Sequence, residues 1–470
     1  MGPGAYKPGV FWPDKGRGVI WGLSRLKGDG LKQRALRGSL LTFIGFGGAQ
    51  VLRLASNLVL TRLLAPEIFG LMALVQMVLS AAEMLSVLGI NISIMQNPRG
   101  KEPRFLNTAW TLQIIRGAVL WAAIALSAPA IAAFYGYPEL TALLSVVGVS
   151  AFVSGFQSTK LATSNRDLQL GRLTVVELAS QVLGILLMIG LAWWLRSVWA
   201  LALGSMGAAA AKVVLSHRLL AGEPNRLAWD STALWAILNM GKYILFSSAL
   251  GFVINNGDRA ILGKFVSLTD LGIYNIGFFL ATVPLMMARQ FGPRVMLPIY
   301  REAPPHEGAA NRQKLRKVRG GLTLILLLGG LTIAFCGQWL VGLLYEDRYA
   351  GAGPVLILLC LTAMPSIILM PYANLYLAQG NARDFTVLTA LTALVQTVAL
   401  YLGVREWGVL GAVLAPLSVV VTYPLTAWYA HRYRGWDPAL DAALTAVAVL
   451  GAAAALWWHE DLIAGMLSGG

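Results

Sequence analysis

Thirteen apolar runs, each long enough to cross a bilayer, dominate this sequence and decide what the chain can fold into. They lie at about 39–61, 67–96, 105–134, 140–159, 173–195, 198–216, 231–256, 269–297, 321–344, 352–379, 385–404, 408–430 and 439–458. A hydrocarbon core of about 30 Å takes roughly 17–25 helical residues to cross. No water satisfies the backbone there, so each run is expected to be a helix. Charged residues make up 13% of the chain and hydrophobic ones 57%, whereas a soluble domain carries roughly 25% charge. A soluble globule this apolar would lack the polar surface to cover itself. The reading is an all-α polytopic membrane protein whose last, Ala-rich span is the weakest.

The formal net charge of +15 invites a nucleic-acid partner, but that requires basic residues gathered on a soluble face. With a cytoplasmic amino terminus, the segments 1–38, 97–104, 160–172, 212–230, 298–320, 380–384 and 431–441 hold 26 Lys and Arg residues, against 6 in the opposite loops. That bias is the topology rule of inner-membrane proteins, so no nucleic acid is expected. Residues 1–38 read as a basic cytoplasmic or membrane-surface segment with isolated aromatics, and they lack the apolar core of a signal peptide. Cys336 and Cys360 lie in apolar runs, and His217, His306, His431 and His459 have no metal spacing. The stretch from Gly257 to Gly263-Lys264 ends in Phe265, where a phosphate-cradling ATPase loop needs a magnesium-holding hydroxyl. Neither metal nor cofactor is expected, and coupling to proton or sodium stays open.

The chain carries an internal duplication. Arg62-Leu63-Leu64-Ala65-Pro66-Glu67-Ile68-Phe69-Gly70-Leu71 matches Lys264-Phe265-Val266-Ser267-Leu268-Thr269-Asp270-Leu271-Gly272-Ile273 at a spacing of 202. A second echo pairs Ser164-Asn165-Arg166-Asp167 with Asn381-Ala382-Arg383-Asp384. The first and seventh spans then face the same way, which makes a parallel repeat of six-helix halves. Transporters with such repeats hold substrate between them. The expected organisation is a basic segment at 1–38, six-helix bundles at 39–220 and 221–435, and an extra hydrophobic segment at 436–470.

The stretch Gly257-Asp258-Arg259-Ala260-Ile261-Leu262-Gly263-Lys264-Phe265, followed by Leu271-Gly272-Ile273-Tyr274, resembles bacterial Wzx-type oligosaccharide-lipid flippases. So does Leu64-Ala65-Pro66-Glu67-Ile68-Phe69-Gly70-Leu71, followed by Leu88-Gly89-Ile90 and Ile94-Met95-Gln96. These flippases belong to the multidrug/oligosaccharidyl-lipid/polysaccharide exporter superfamily, and the resemblance covers roughly residues 35–435. It implies a V-shaped pair of pseudo-symmetric six-helix bundles that turns polyprenyl-diphosphate-linked oligosaccharides across the inner membrane. Polysaccharide polymerase and glycosyltransferases are the implied protein partners. Family members usually have twelve or fourteen helices, and thirteen spans depart from that.

Ionisable residues inside spans are costly and mark function by default. Arg53, Arg116, Lys242 and Glu83 lie deepest, with Arg289 and Arg294 nearer the span ends. Three deep bases against one acid suit an anionic ligand, and a diphosphate is the obvious one. Arg53, Lys242, Arg116 and Arg289 are therefore the candidate diphosphate ligands around a central cationic cavity, with Glu83 as a coupling or structural acid. Gln50, Asn57, Asn239, Asn255 and Asn256, on the first and seventh spans, can bind sugar hydroxyls or simply join helices. Asp258 and Arg259 read as a structural or gating ion pair. The Trp residues near span ends (Trp193, Trp194, Trp199, Trp457, Trp458) look like interfacial belts. Rival readings are a membrane glycosyltransferase or polymerase using Glu346-Asp347, a drug or cation antiporter, and a lipid II flippase. The first wants a substantial outer loop and the second a net acidic cavity.

Overall fold

The computed structural model describes residues 31–86 and 89–468, without the side chains of residues 31–44, 240–247, 291, 382 and 466–468. Most of the expected 1–38 segment lies outside the described residues, and 31–38 already form the start of a helix. Every expected span is built mainly of helix where described, although some are broken. The first half runs α1 (Leu31–Leu63), α2 (Pro66–Leu85), α3 (Ile90–Gln96), α4 (Pro103–Tyr135), α5 (Glu139–Val147), α6 (Val149–Gly155), α7 (Lys160–Arg166), α8 (Leu170–Leu195) and α9 (Val198–Arg218). The second runs α10 (Ser231–Phe265), α11 (Leu268–Ala281), α12 (Val283–Glu302), α13 (Ala309–Leu344), α14 (Ala352–Thr362), α15 (Met364–Ala378), α16 (Ala382–Leu414) and α17 (Tyr423–Arg432). Two further helices, α18 (Pro438–Trp458) and α19 (Glu460–Ser468), follow.

Among the described residues 7 helices are long and apolar enough to cross a membrane, or 10 if each bent pair is one span. That number counts 383–432 once and omits α1 and α10. The chain is a multi-pass membrane protein. Several spans are not the continuous helices their hydropathy suggests. The 67–96 run breaks between α2 and α3, where Gly89 takes φ 64. The eighth span bends by 49° and the tenth by 41°, beside Pro284 and Pro365, whose rings remove the backbone donors that would carry the helix on. Within α16 the chain turns at Gly408 (φ 53, ψ −128). The turn brings Gly403 onto Gly411 so closely that a Cβ on Gly411 would sit 1.9 Å from the Gly403 carbonyl. Four helices, α10, α11, α16 and α18, start on side-chain caps: Asp230 accepts from the Thr232 N–H, Ser267 from Asp270, Asn381 from Asp384 and Asp437 from Leu440.

The duplicated segments meet. A Cβ on Gly70 would lie 2.0 Å from the Leu268 carbonyl oxygen, and one on Gly272 would lie 2.0 Å from that of Pro66. Thr269 donates to Glu67 at 2.8 Å across the same contact. Leu268, Thr269 and Gly272 are Pro66, Glu67 and Gly70 plus 202, so α2 and α11 touch through equivalent atoms, as a local twofold axis requires. The sequence placed glycine in both segments because two backbones approach there. Around this seam Tyr349 donates to the Leu64 carbonyl at 2.8 Å and Tyr135 to that of Ala260 at 3.1 Å. Residues of both halves share one hydrophobic core here. At the opposite end two cores stand apart. One joins α3, α4, α7 and the first turns of α10, and the other joins α12, α13, α15, α16 and α17.

Candidate functional site

Three of the residues the sequence marks lie within little more than one turn of α10: Asn255 is followed by Asp258 and Arg259 at i+3 and i+4, the two positions that flank it on the helix surface. Asn255 donates its amide to the Gly251 carbonyl at 2.6 Å, which leaves its oxygen to accept from Arg289 on α12. Arg289 has no other protein partner among the described residues. It projects between two cavities of about 300 and 380 Å³ that share Asn255, Leu285, Arg289, Ser366 and Gln396 as a common wall.

Asp258 and Arg259 do not pair with each other, contrary to the expectation. Neighbours on a helix point about 100° apart, and each has found another partner. Tyr274 donates to Asp258 at 2.9 Å. Arg259 donates to Asn275 at 3.1 Å and lies 4.6 Å from the Phe278 ring centre. Asp258 lines the smaller cavity, and one of its oxygens is buried with no partner among the described residues.

The cavities hold polar residues that no charge-based reading selected. Thr389, Thr392, Gln396 and Thr397 form a stripe on α16. The three threonine hydroxyls donate to Phe385, Leu388 and Ala393 of their own helix at 2.7–2.8 Å. Their hydrogens are thus occupied and only lone pairs face inward, a surface of acceptors suited to hydroxyl donors. The i, i+3, i+7, i+8 spacing in an otherwise apolar run was the available clue.

On the first half, Gln50, Arg53 and Asn57 share one stripe of α1. Gln50 reaches Met286 of α12 at 3.3 Å, which brings the two halves together one turn from Arg289. Arg53 is exposed, and the buried Gln50 and Asn57 side-chain oxygens have no partner among the described residues. Arg116 is committed elsewhere. Its guanidinium donates to the Ser86 hydroxyl at 3.0 and 3.1 Å and to the Glu83 carbonyl at 3.1 Å, closing the end of α2 at the break. The Glu83 carboxylate itself is exposed. Asn239 is exposed and Asn256 half-buried. The Lys242 side chain lies outside the described residues, so the expected Arg53–Lys242 arrangement rests on sequence alone. Glu346 pairs with Arg348 at 2.8 Å, and the same nitrogen donates to the Thr61 carbonyl at 2.7 Å, so half of the acidic doublet is absorbed into the seam.

Outside the spans, Arg99 joins the 97–104 loop to the start of α10. It donates to Asp230 at 2.9 Å, to Thr232 at 2.8 Å and to Glu102 at 2.8 Å. The Thr232 hydroxyl, then Arg99, hold the Asp230 carboxyl well below the usual carboxylate range.

Residues 59–354, more than half of the chain, match the polysaccharide biosynthesis protein family. The chain belongs to that family. Teichuronic acid biosynthesis protein TuaB of Bacillus subtilis (strain 168) is 23% identical over 317 residues, 64% of this chain and 62% of TuaB. The match therefore spans less than two thirds of TuaB's length. Lipopolysaccharide biosynthesis protein WzxC of Escherichia coli (strain K12) is 21% identical over 393 residues, 80% of this chain and 77% of WzxC. The structure of lipid II flippase MurJ in an inward closed conformation superposes with a TM-score of 0.70 at 10% identity, over 92% of this chain and 96% of MurJ. At that identity the likeness concerns the fold.

Proposed function

We propose that this family member is a flippase and not an enzyme. It moves polyprenyl-diphosphate-linked oligosaccharide repeat units across the bacterial inner membrane for polysaccharide assembly, by alternating access of halves at 39–220 and 221–435. Its amino terminus faces the cytoplasm, and the glycine seam is the outer closure. The observation that carries this reading is Arg289, a cation held by Asn255 at a largely apolar cavity with a few polar side chains, inside a membrane protein. A guanidinium offers a planar fork to phosphate oxygens, and a hydrogen bond to a charged group contributes about 1.5–3 kcal/mol. The α16 threonines supply acceptors for the sugar hydroxyls. Arg53 supplies the second cation from the first half and Lys242 the third, while Glu83 is the coupling acid for proton or sodium. The names of TuaB and WzxC support the polysaccharide context.

The test is export in a deletion strain complemented with Arg289→Ala, Arg53→Ala and the double variant, followed by analysis of the lipid-linked sugar on each leaflet. The double variant is expected to insert normally, to lose export, and to accumulate the lipid-linked repeat on the cytoplasmic leaflet. Normal export by the double variant would overturn the reading. Accumulation of lipid II instead would assign the other cargo.

A further inference from the structure

At the end expected to face the cytoplasm, the second half carries a cavity unrelated to the Arg289 chambers. It has a volume of about 330 Å³ and lies between the first turns of α13 and the 434–440 turn that leads into α18. Arg312, Arg316 and Arg319 enter it from α13 at i, i+4 and i+7, one stripe of the helix, and Arg434 enters from the opposite wall. The topology rule accounts for basic residues on this side of the membrane, but not for four of them converging on one cavity. Like charges on one stripe repel, and the acids present do not balance them.

Asp437 meets Arg316 at 3.3 Å in a half-open pair. Asp441 meets Arg319 from behind, where it also accepts from Tyr372 at 2.6 Å. Arg319 is 2% exposed and is one of the residues lining this cavity, and its buried Nε has no partner among the described residues. A buried guanidinium N–H without a partner is costly, and this one belongs to a side chain in the wall of a basic cavity. Arg434 adds its charge from an unusual position, since it ends α17 in the left-handed conformation (φ 54) that glycine more often takes.

We propose that this cavity is a binding site for a phosphate-bearing anion, with Arg316 and Arg434 gripping the phosphate from two sides and Arg319 closing it from below. The site does not depend on the transport reading above. The shared chemistry is a phosphate group, which an anionic lipid headgroup or a soluble phosphate can each supply.

The test uses the full chain purified in an uncharged detergent, with binding read by calorimetry. One arm titrates inorganic pyrophosphate and the other phosphatidylglycerol in mixed micelles. Binding in the first arm assigns a soluble ligand and in the second a lipid headgroup. Arg316→Gln with Arg434→Gln is expected to weaken binding by about tenfold or more, because charge-assisted contacts to phosphate are lost. Asp437→Asn is expected to tighten it about threefold or more, since the change frees Arg316 and asparagine caps the α18 start as well as aspartate does. That variant preserves the test if the double substitution fails to fold. Failure of both probes to bind, or binding unaffected by all three substitutions, would overturn the proposal.

Discussion

Replacing Gly70 by alanine should pry open the seam between α2 and α11. The added Cβ starts 2.0 Å from the Leu268 carbonyl oxygen, and ordinary contact begins near 3.4 Å, so the helices must part by about 1.4 Å. A backbone oxygen cannot swing aside as a side chain can. Overpacking of this kind costs about 1–3 kcal/mol, while alanine in place of a helical glycine returns about 0.5–1 kcal/mol. The net penalty on the closed seam runs up to about 2.5 kcal/mol and centres near 1–2 kcal/mol, which changes its population roughly 5–30-fold. Thr61 reports on it: it is 1% exposed beneath the seam, and its carbonyl accepts from Arg348. In a Cys336→Ser/Cys360→Ser background, Thr61→Cys should react with a polar thiol reagent 5–30-fold faster once Gly70→Ala is added. Gly272→Ala should do the same, because it strikes Pro66 from the other side. Gly329→Ala, with nothing within 4 Å of the added carbon, should leave the rate unchanged. Equal rates in all four proteins would refute the claim that these glycines hold the halves together.

The buried Arg319–Asp441 pair should be intolerant of a one-sided change. Asp441→Asn strands a cation at a cost of about 3–5 kcal/mol and should sharply lower the melting temperature, whereas Arg319→Met with Asp441→Leu should restore most of it. Asp230 titrates below its ordinary value of 3.8 in the folded chain, so its contribution is fully present above that pH and fades as acid carries it through the lowered folded value. Asp230→Ala should therefore melt earlier than wild type at neutral pH, and the two curves should converge below pH 3.8. For orientation, an impermeant thiol reagent applied to sealed cells should label Glu139→Cys but not Ala309→Cys, both of which are exposed positions. Labelling of Ala309→Cys would reverse the topology.

What the sequence disclosed followed from local rules. Hydropathy alone marked the helices, and the 202-residue echo marked the seam, because close backbone approach leaves a glycine in both copies. The 67–96 break was hidden. No polar residue interrupts that run from Leu85 to Ile90 except Ser86, and the break is stabilised by Arg116, thirty positions away in the next span. Arg319 and Asp441 looked like ordinary loop charges, since 122 residues separate them and only folding makes them a pair. Asp258 and Arg259 looked like a pair because they are adjacent in sequence, which on a helix is a reason for them to diverge. The α16 threonines were passed over for want of charge, although their spacing traced one face.

Under the flippase reading the seam has to open, and the chemistry that joins it suits that. Across the seam the described donors, Tyr349, Tyr135, Lys264 and Arg348, all reach backbone carbonyls, and Thr269 reaches Glu67. The two tyrosine bonds are neutral and net about 0.5–1.5 kcal/mol each, and the three with a charged partner about 1.5–3; none joins opposite charges, so parting the seam breaks no ion pair among the described residues. The cations sit farther in and break the repeat. Arg53 plus 202 is Asn255, and Asn255 holds Arg289, whose own counterpart would be Val87. Positive charge is thus supplied at related levels by different helices. The Gln50–Met286 contact fixes those levels, because Arg53 lies three residues toward the seam on α1 and Arg289 three residues away from it on α12. At 1.5 Å per residue, about 9 Å separates them along the axis. Under the flippase reading a phosphate group passes from one cation to the other, and neither residue substitutes for its partner. Arg53→Ala and Arg289→Ala should then each stop export almost as fully as the pair, a non-additivity that two independent ligands would not give.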